Sequence, residues 1–336
     1  MSETDILLDV KNLQTFFKGT AGSIRAVDGV SLSIRRGETI ALVGESGCGK
    51  SVLALSLARL VSAPGYHPSG EILFRGSDVL KMDERRLTHL RGADISYIFQ
   101  EPSTSLNPVF KVGYQIAEAV KLHASRLPDS TQNTVERVVS LMNLVGLPEP
   151  HRRMNAYPHE MSGGMQQRVM IAMALACSPS LLVADEPTTA LDVTIQAQIL
   201  ELLRDLQNKL NMAILLITHN LGLVADMAHA VHVMYAGRIV ETGLTKSLLT
   251  RPGHPYTRGL LDAVPRLQST SALKGIKGSV PHPAHLPPGC KFAPRCPFAQ
   301  AVCSVDEPSL AETHTPYHFV RCHFPLNTVT KGPQSD

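Results

Sequence analysis

The chain has 336 residues, with 32 Lys and Arg against 29 Asp and Glu, and a formal net charge of +3. This near-neutral balance argues against a protein that coats nucleic acid, and a composition of 43% hydrophobic and 18% charged residues excludes an intrinsically disordered chain. The sequence contains no run of about 18 apolar residues, so no membrane-spanning segment is expected. The N-terminal residues carry acids where a signal peptide needs a basic region, which predicts a cytoplasmic protein.

The first two thirds of the chain alternate between strand and helix patterns. Continuous apolar runs are typical of strands buried on both faces, and their alternation with helices predicts a parallel sheet covered by helices. Short β-prone runs near the N-terminus predict an additional antiparallel layer. The predicted elements are antiparallel strands at 6–10, 30–34 and 71–74, buried strands at 39–43, 95–99, 181–184 and 213–218, helices at 50–61, 164–177 and 194–210, and a hairpin at 231–240.

Two regions depart from this alternation. Residues from about 105 to 177 are helical in pattern and predict a subdomain inserted into the α/β core. Thirteen of the 23 prolines and four of the six cysteines follow residue 250. The sequence therefore predicts a main domain over 1–250 and a small, irregular, Cys-rich C-terminal domain over 251–336.

A glycine-rich loop follows the first buried strand and matches the pattern G-x-x-x-x-G-K-[ST]. It comprises Gly44, Glu45, Ser46, Gly47, Cys48, Gly49, Lys50 and Ser51. The glycines let successive backbone N–H groups turn inward around phosphate oxygens. Lys50 can reach the β- and γ-phosphates, the Ser51 hydroxyl can coordinate Mg²⁺, and the helix that begins at Lys50 directs partial positive charge at the same phosphates. This arrangement predicts a site for a nucleoside triphosphate.

Two acidic residues, Asp185 and Glu186, follow the four apolar residues of a later strand. A buried parallel strand delivers such side chains to the edge at which open α/β sheets bind ligands. We expect Asp185 to hold Mg²⁺, directly or through water. We expect Glu186 to orient the attacking water and to deprotonate it as the general base.

A second glycine-rich helix start, at Ser162, Gly163 and Gly164, lies 23 residues before Asp185. Together with the loop and the acidic pair, it resembles the ATP-binding-cassette (ABC) ATPases, whose Ser-Gly-Gly signature contacts the γ-phosphate bound by the opposite subunit. The resemblance implies an α/β fold with a P-loop (RecA-like) core, ATP and Mg²⁺ as ligands, and a head-to-tail pair of cassettes. The chain departs from the commoner signature at Met165, where the family more often has Gln.

Further residues match the family in the expected order. Gln100 resembles the Q-loop glutamine, which in the family touches Mg²⁺ and the attacking water. Residues 190–192 resemble the D-loop, which crosses the dimer interface, and His219 resembles the switch histidine that contacts the γ-phosphate. Phe17 lies where the family stacks an aromatic ring on adenine, and its neighbour Phe16 is the alternative.

The chain holds one phosphate loop and one signature, so the resemblance implies a second cassette in another chain. In the tail, residues 251–264 and 289–297 resemble the ATPase subunits of oligopeptide/dipeptide importers. That branch implies two polytopic membrane permease subunits, which would contact the helical insertion and residues 101–111. It also implies a different partner cassette, an extracytoplasmic substrate-binding protein that acts indirectly, no nucleic acid, and peripheral attachment at the cytoplasmic face of the bacterial inner membrane.

Other functions stay open at this point. The same branch also imports nickel and other small solutes. A soluble ABC ATPase that acts on nucleic acid or a repair complex is a second alternative, although the near-neutral charge and the tail motif argue against it. A regulatory ATPase whose metal cluster senses redox state is a third.

The four tail cysteines, Cys290, Cys296, Cys303 and Cys322, are separated by five, six and 18 residues. In a cytoplasmic protein such a group indicates a metal site rather than disulfides. The spacing lacks the C-x₂-C pairs of zinc ribbons and the familiar ferredoxin spacings, so zinc, an iron–sulfur cluster and four free buried thiols remain open. The resemblance to the importer branch favours a [4Fe–4S] cluster over Zn²⁺.

Overall fold

The computed structural model describes residues 5–19, 22–123, 133–189, 191–264 and 275–326. The strands are β1 Ile6–Gly19, β2 Gly22–Arg35, β3 Thr39–Val43, β4 Gly65–Tyr66, β5 Glu71–Phe74, β6 Ser77–Asp78, β7 Ile95–Ile98, β8 Leu181–Asp185, β9 Ala213–Thr218, β10 Ala230–Tyr235, β11 Arg238–Leu244, β12 Ala311–Glu312 and β13 Phe319–Val320. The helices are α1 Lys50–Ser56, α2 Glu84–Leu90, α3 Pro102–Ser105, α4 Val112–Leu122, α5 Thr134–Leu144, α6 Pro150–Arg153, α7 Gly163–Ala174, α8 Val193–Leu210, α9 Leu221–Met227, α10 Thr245–Thr250, α11 Pro255–Asp262 and α12 Ala301–Val305.

A large sheet forms the centre of the molecule, with its strands in the order β12-β13-β11-β10-β3-β9-β8-β7. From β10 to β7 all neighbouring strands are parallel, and every residue of β3 and β9 is buried. Alternate residues of β8 enter different cores, since Leu182 packs in the core that contains α7 and α8 while Val183 packs in the core that contains α1. The predicted parallel sheet covered by helices is confirmed, and the carboxyl ends of β3, β7, β8 and β9 lie at one edge.

The antiparallel layer is also present, with strands in the order β2-β1-β5-β6 and β4 paired with β1. Both β1 and β2 run for 14 residues, well beyond the predicted runs at 6–10 and 30–34. The pairing of β1 with β2 contains register shifts, one of them between Val10 and Leu13, where Asn12 has a φ of 47°. Such a bulge interrupts the alternation of buried and exposed residues, which is why the sequence predicted strands that are too short.

In the predicted helical insertion α4, α5 and α7 pack around Ile116, Met142 and Val169, and this core continues into the central sheet at Leu182 and into α8 at Leu203. The α7 helix ends at Ala174, before the predicted residue 177, and Ser178 then adopts a left-handed φ of 53° ahead of Pro179. The α1 helix likewise ends at Ser56 rather than at 61. None of the described helices combines the length and the apolar character needed to cross a bilayer.

The tail is joined to the main body by a strand and by a buried carboxylate. β13 pairs antiparallel with β11 and so extends the central sheet. Glu241 of β11 is fully buried and accepts hydrogen bonds from the backbone N–H groups of Gly253 (2.7 Å) and His254 (2.9 Å). The third tail residue bonded to Glu241 is His318, whose Nε2 atom lies 2.6 Å from the carboxylate. Beside this group, Phe292 of the tail packs against the ring of Tyr235 of the main body in a shared core.

Candidate functional site

The phosphate loop connects β3 to α1, in the strand–loop–helix context that the sequence predicted. Gly47 and Gly49 have left-handed φ angles of 80° and 108°. A Cβ atom at Gly49 would collide with the backbone oxygen of Ala26, so only glycine allows the loop to pack this closely against Ala26. Two N–H groups of the loop already have partners, since Glu45 donates to the Tyr256 hydroxyl and Cys48 donates to the Glu45 carbonyl.

Lys50 lies inside the loop, with only 6% of its surface exposed. Its ammonium donates hydrogen bonds to the carbonyl oxygens of Gly44 (2.8 Å) and Glu45 (3.0 Å). The positive charge is thus held inside the loop by two backbone carbonyls.

Ser51 and Asp185 meet at the same edge of the sheet. Asp185 ends β8 and Ser51 is the second residue of α1, and Ser51 lies close enough to the Asp185 carboxylate to lower its pKa. Burial raises the pKa of Asp185, and the nearby Glu186 charge adds to this, while Ser51 and Lys50 act against it. A hydroxyl and a carboxylate that favour a nearby cation fit the oxygen ligands that Mg²⁺ prefers.

Glu186 is the centre of a hydrogen-bonded group. Its carboxylate accepts from the Gln100 amide (3.1 Å) and the Thr189 hydroxyl (2.7 Å), and lies 3.1 Å from Nδ1 of His219. Its backbone N–H donates to Ile217 of β9 at 2.9 Å, which fixes the left-handed backbone of Glu186 (φ 48°) to the sheet. The structure therefore brings together the three predicted catalytic side chains, from three different strand ends.

The environment of Glu186 keeps its carboxylate ionised. Burial raises the pKa of Glu186, but the hydrogen bonds from Thr189 and His219 and the charge of Lys50 outweigh burial, so that the net shift is downward. An ionised carboxylate at neutral pH can accept a proton from water. His219 itself is exposed, with 57% of its side chain accessible, and so remains open to a ligand.

Thr189 was not among the predicted site residues. It follows Glu186 by three residues in the turn after β8, and its backbone N–H donates to the Glu186 carbonyl at 3.3 Å. The sequence Glu-Pro-Thr-Thr could have indicated this contact, because it places a hydroxyl three residues after the acid that follows the strand.

The signature residues do not join this group. Ser162 caps α7 by accepting a hydrogen bond from the Met165 N–H (3.4 Å), and Ser162 and Gly163 are exposed. A Cβ at Gly164 would touch Ile195 of α8, so the signature packs beside the start of α8. Among the predicted D-loop residues, Asp192 caps α8 through the Ile195 N–H (3.0 Å), and Ala190 lies outside the described residues.

The two aromatic candidates for adenine differ in their contacts. Phe16 packs edge-on against Tyr66, with ring centroids 6.2 Å apart, and Arg25 lies over its ring. Phe17 is half-buried on β1 beside Gly65. Phe16 is therefore already occupied by neighbours on its own sheet.

The four tail cysteines line one small cavity, together with His254 and Phe292. Burial raises the pKa of Cys290 and Cys296, and raises that of Cys322 to about 11. The charges of Cys290, Cys296 and Cys303 contribute to the shift of Cys322, as expected for thiols that face each other. Within the ranges that the structure describes, no group of three or more His, Cys, Asp or Glu is arranged to hold a metal ion.

Two family descriptions match the sequence: residues 27–189 match "ABC transporter", and residues 240–303 match "Oligopeptide/dipeptide transporter, C-terminal region". A probable peptide ABC transporter ATP-binding protein of Sinorhizobium fredii is 50% identical over 323 residues, which cover 95% of each chain. The dipeptide transport ATP-binding protein DppD of Escherichia coli is 47% identical over 322 residues, which cover 96% of this chain and 97% of the relative.

A solved structure of similar fold is the ATP-binding cassette MJ0796, in a dimeric post-hydrolysis state bound to ADP and Pi. It matches with a TM-score of 0.63 and 26% identity, covering 71% of this chain and 98% of that chain. The predicted α/β cassette fold is confirmed by this likeness.

Proposed function

This chain belongs to the ABC transporter family, in the branch that carries the oligopeptide/dipeptide transporter C-terminal region, and we propose that it hydrolyses ATP to drive the import of di- or oligopeptides through partner membrane subunits. The observation that carries the proposal is the Glu186 carboxylate, held by Gln100, Thr189 and His219 at the edge that bears the phosphate loop. The named relatives act in peptide and dipeptide transport, which favours peptides over nickel and over a nucleic-acid role.

The proposed hydrolysis assigns one task to each side chain. Lys50 exchanges the Gly44 and Glu45 carbonyls for phosphate oxygens and neutralises their charge. Ser51 and Asp185, with Gln100, would hold Mg²⁺, which supplies further positive charge at the phosphates.

Proton transfer is assigned to the second acid of the pair. Glu186 takes a proton from the attacking water while Gln100 orients that water. His219, whose ring is largely exposed, contacts the γ-phosphate. Phe17 stacks on adenine, because the ring of Phe16 already contacts Tyr66 and Arg25.

The exposed signature at Ser162, Gly163 and Gly164 supports a site completed by another cassette. We place these residues on the γ-phosphate of nucleotide bound by the partner, in a head-to-tail dimer that we propose to be heteromeric. Two membrane permease subunits and, indirectly, an extracytoplasmic substrate-binding protein complete the importer, which puts this chain at the cytoplasmic face of the membrane. Closing of the dimer on ATP and opening after hydrolysis would then move the permeases.

Replacement of the general base tests the hydrolytic assignment. Glu186→Gln keeps the shape of the side chain and one of its two acceptor oxygens but cannot take a proton. We expect phosphate release by the assembled transporter to fall by about 100-fold or more, with ATP binding retained. The matched control is Glu201→Gln on the exposed face of α8, which should hydrolyse like the wild type. Hydrolysis by the Glu186 variant at the wild-type rate would end the proposed role.

The import assignment has a separate test. The full chain should co-purify with two polytopic membrane proteins, and the reconstituted assembly should take up labelled dipeptide in an ATP-dependent way. Nucleic-acid-stimulated hydrolysis without membrane partners would instead support the soluble alternative.

We extend the proposal to the tail, where the four cysteines would hold a [4Fe–4S] cluster, although among the described residues they would first have to draw closer together to ligate it. The supporting observation is that all four thiols line the same cavity although Cys290 and Cys322 lie 32 positions apart in the sequence. Such a cluster, when bound, would supply iron–thiolate bonds that cross-link the tail. Zn²⁺ is the alternative occupant of the same thiols.

Metal analysis separates these occupants. After anaerobic purification of the full chain, we expect iron and acid-labile sulfide in equal amounts, and we expect Cys303→Ser to lose both. Cys177→Ser is the control, because Cys177 packs against the helical core and does not line the cavity. Zinc without iron would replace the cluster by a zinc site, and the absence of both metals would leave free thiols.

A further inference from the structure

The tail reaches into the phosphate loop through one ion pair. Arg295 forms two parallel hydrogen bonds to the Glu45 carboxylate, at 2.6 and 3.0 Å, although the residues lie 250 positions apart. The Arg295 side chain is 6% exposed and that of Glu45 is 30% exposed. A forked, largely desolvated Arg–carboxylate contact is among the stronger ion-pair geometries.

Arg295 is held in place by more than this pair. Its guanidinium donates to the carbonyls of Lys277 (2.9 Å) and Gly278 (3.1 Å) and to the Tyr235 hydroxyl (3.3 Å). It also lies over the rings of Tyr235 and Phe292, at 5.7 and 6.0 Å. The charged group is thus fixed by main-chain and aromatic contacts before a nucleotide arrives.

A second tail residue holds the backbone of the same loop position. The Glu45 N–H donates to the hydroxyl of Tyr256 at 2.8 Å. Glu45 is therefore held at its side chain by Arg295 and at its main chain by Tyr256, while its carbonyl accepts from Lys50. The loop residue next to Gly44 is positioned by the tail.

The charge of Glu45 presents a problem for a phosphate site. A carboxylate within the loop repels the phosphates of ATP, and this repulsion is strong where water is partly excluded. Glu45 already acts within the loop: burial is the main cause of the raised pKa of Cys48, and the Glu45 charge contributes in the same direction. A cation at Glu45 removes this repulsion without occupying the phosphate position.

We infer that Arg295 is a positioning residue for nucleotide binding, which neutralises Glu45 and turns its carboxylate away from the phosphates of ATP. The inference rests on the proposed function, because it concerns the affinity of the same loop for ATP. It also gives the tail a direct part in the ATP site, since Arg295 lies in the turn Ala293–Arg295 between two of the cavity cysteines.

The decisive experiment is a double-mutant cycle on the full chain, read out as equilibrium binding of Mg-ATP and as KM and kcat of the assembled transporter. Arg295→Gln leaves the Glu45 charge unpaired, and we expect about tenfold weaker ATP binding and a higher KM with little change in kcat. Adding Glu45→Gln removes that charge, and we expect the double variant to recover to within about threefold of the wild type. Arg258→Gln, in an exposed tail ion pair with Asp262, is the control and should bind ATP normally.

A second pair of variants leaves Arg295 and its other contacts untouched, in case Arg295→Gln destabilises the tail. Glu45→Asp keeps the charge but shortens the side chain so that the fork is broken, and we expect about threefold weaker ATP binding. Glu45→Gln removes the charge altogether, and we expect it to bind ATP more tightly than Glu45→Asp does. Equal effects of these two variants, or a double variant as weak as Arg295→Gln alone, would overturn the inference. A wild-type chain that binds no ATP would overturn the proposed function as well.

Discussion

The edge of the central sheet that bears the phosphate loop and the Cys-containing tail position their functional side chains in different ways. At the edge, Lys50 begins a helix and Asp185 ends a strand, so the sequence spacing and the regular elements together set their positions. In the tail, Arg295 lies in a short irregular turn, and its partner Glu45 is 250 positions away. The difference teaches that each catalytic side chain is placed by its own strand or helix, whereas the tail influences the site through contacts made outside the long strands and helices.

The largest expected effect concerns the phosphate loop, whose side chains are placed by regular elements. Lys50→Ala removes the buried ammonium from the loop, together with its hydrogen bonds to Gly44 and Glu45. Because no other side chain replaces that charge inside the loop, we expect ATP affinity to fall by about 100-fold or more, with a similar loss of hydrolysis at limiting ATP. Nucleotide titration of the full chain measures this, and affinity close to that of the wild type would contradict the assignment.

The second prediction tests the long-range part through stability. Glu241→Ala leaves the N–H groups of Gly253 and His254 and the ring of His318 without their buried acceptor, so we expect the free energy of unfolding to fall by about 3 kcal/mol. Denaturant melts measure the change. The control is Glu149→Ala, which removes an exposed ion pair with Arg152 and should change stability by less than about 0.5 kcal/mol. Two separate melting transitions in the wild type would show that the tail folds independently.

The third prediction returns to the hydrolytic group. Thr189→Val keeps the shape of the side chain but removes the hydroxyl that donates to Glu186 at 2.7 Å. We expect kcat to fall by about tenfold, because the general base loses one of its orienting contacts, while ATP affinity changes little. The neighbouring Thr188→Val is a less suitable control because Thr188 is buried, so Thr250→Val at the exposed end of α10 is preferred. An unchanged kcat would show that Gln100 and His219 suffice to orient the base.

The smallest expected effect is a shift in pH dependence. Hydrogen bonds hold the pKa of Glu186 below its usual range. As the pH falls, Glu186 therefore becomes protonated only at a lower pH than an ordinary Glu does. Since Thr189 contributes to that lowering and burial opposes it, Thr189→Val should raise this pKa and move the acid limb of kcat to higher pH. A pH profile measured at saturating ATP checks the direction, and a shift to lower pH would contradict it.

Much of the fold was predictable because the central strands have simple sequence patterns. The run 39–43 and the run 213–218 appear as strands with the predicted bounds, since strands buried on both faces require continuous apolar residues. The helix α2 was missed, although Asp83 caps it by accepting from the Arg86 N–H, because its exposed surface residues show little periodicity. The two-residue strands β12 and β13 are too short to leave any pattern, so their place beside β11 could not be predicted.

The candidate site shows the same division. Lys50, Asp185, Glu186 and His219 were predictable because each adjoins the end of a regular element at one edge of the sheet. Their exact contacts were not, and Thr189 and Arg295 were missed entirely. A threonine in a turn and an arginine in a proline-rich tail have many possible partners, and only the folded chain selects Glu186 and Glu45 among them. The roles of the signature residues and of the domain boundary at residue 250 stay predictions.

The pairing of β13 with β11 also bears on the solubility of the protein. Without the tail, β11 would present a row of unpaired backbone N–H and C=O groups next to buried Ile239 and Val240, and such a row is a template for addition of a strand from another molecule. The short strands β13 and β12 cover part of that row and end the sheet with the exposed pair Ala311 and Glu312. A chain truncated after residue 250 should therefore self-associate through its uncovered sheet edge, even where its nucleotide loop is intact.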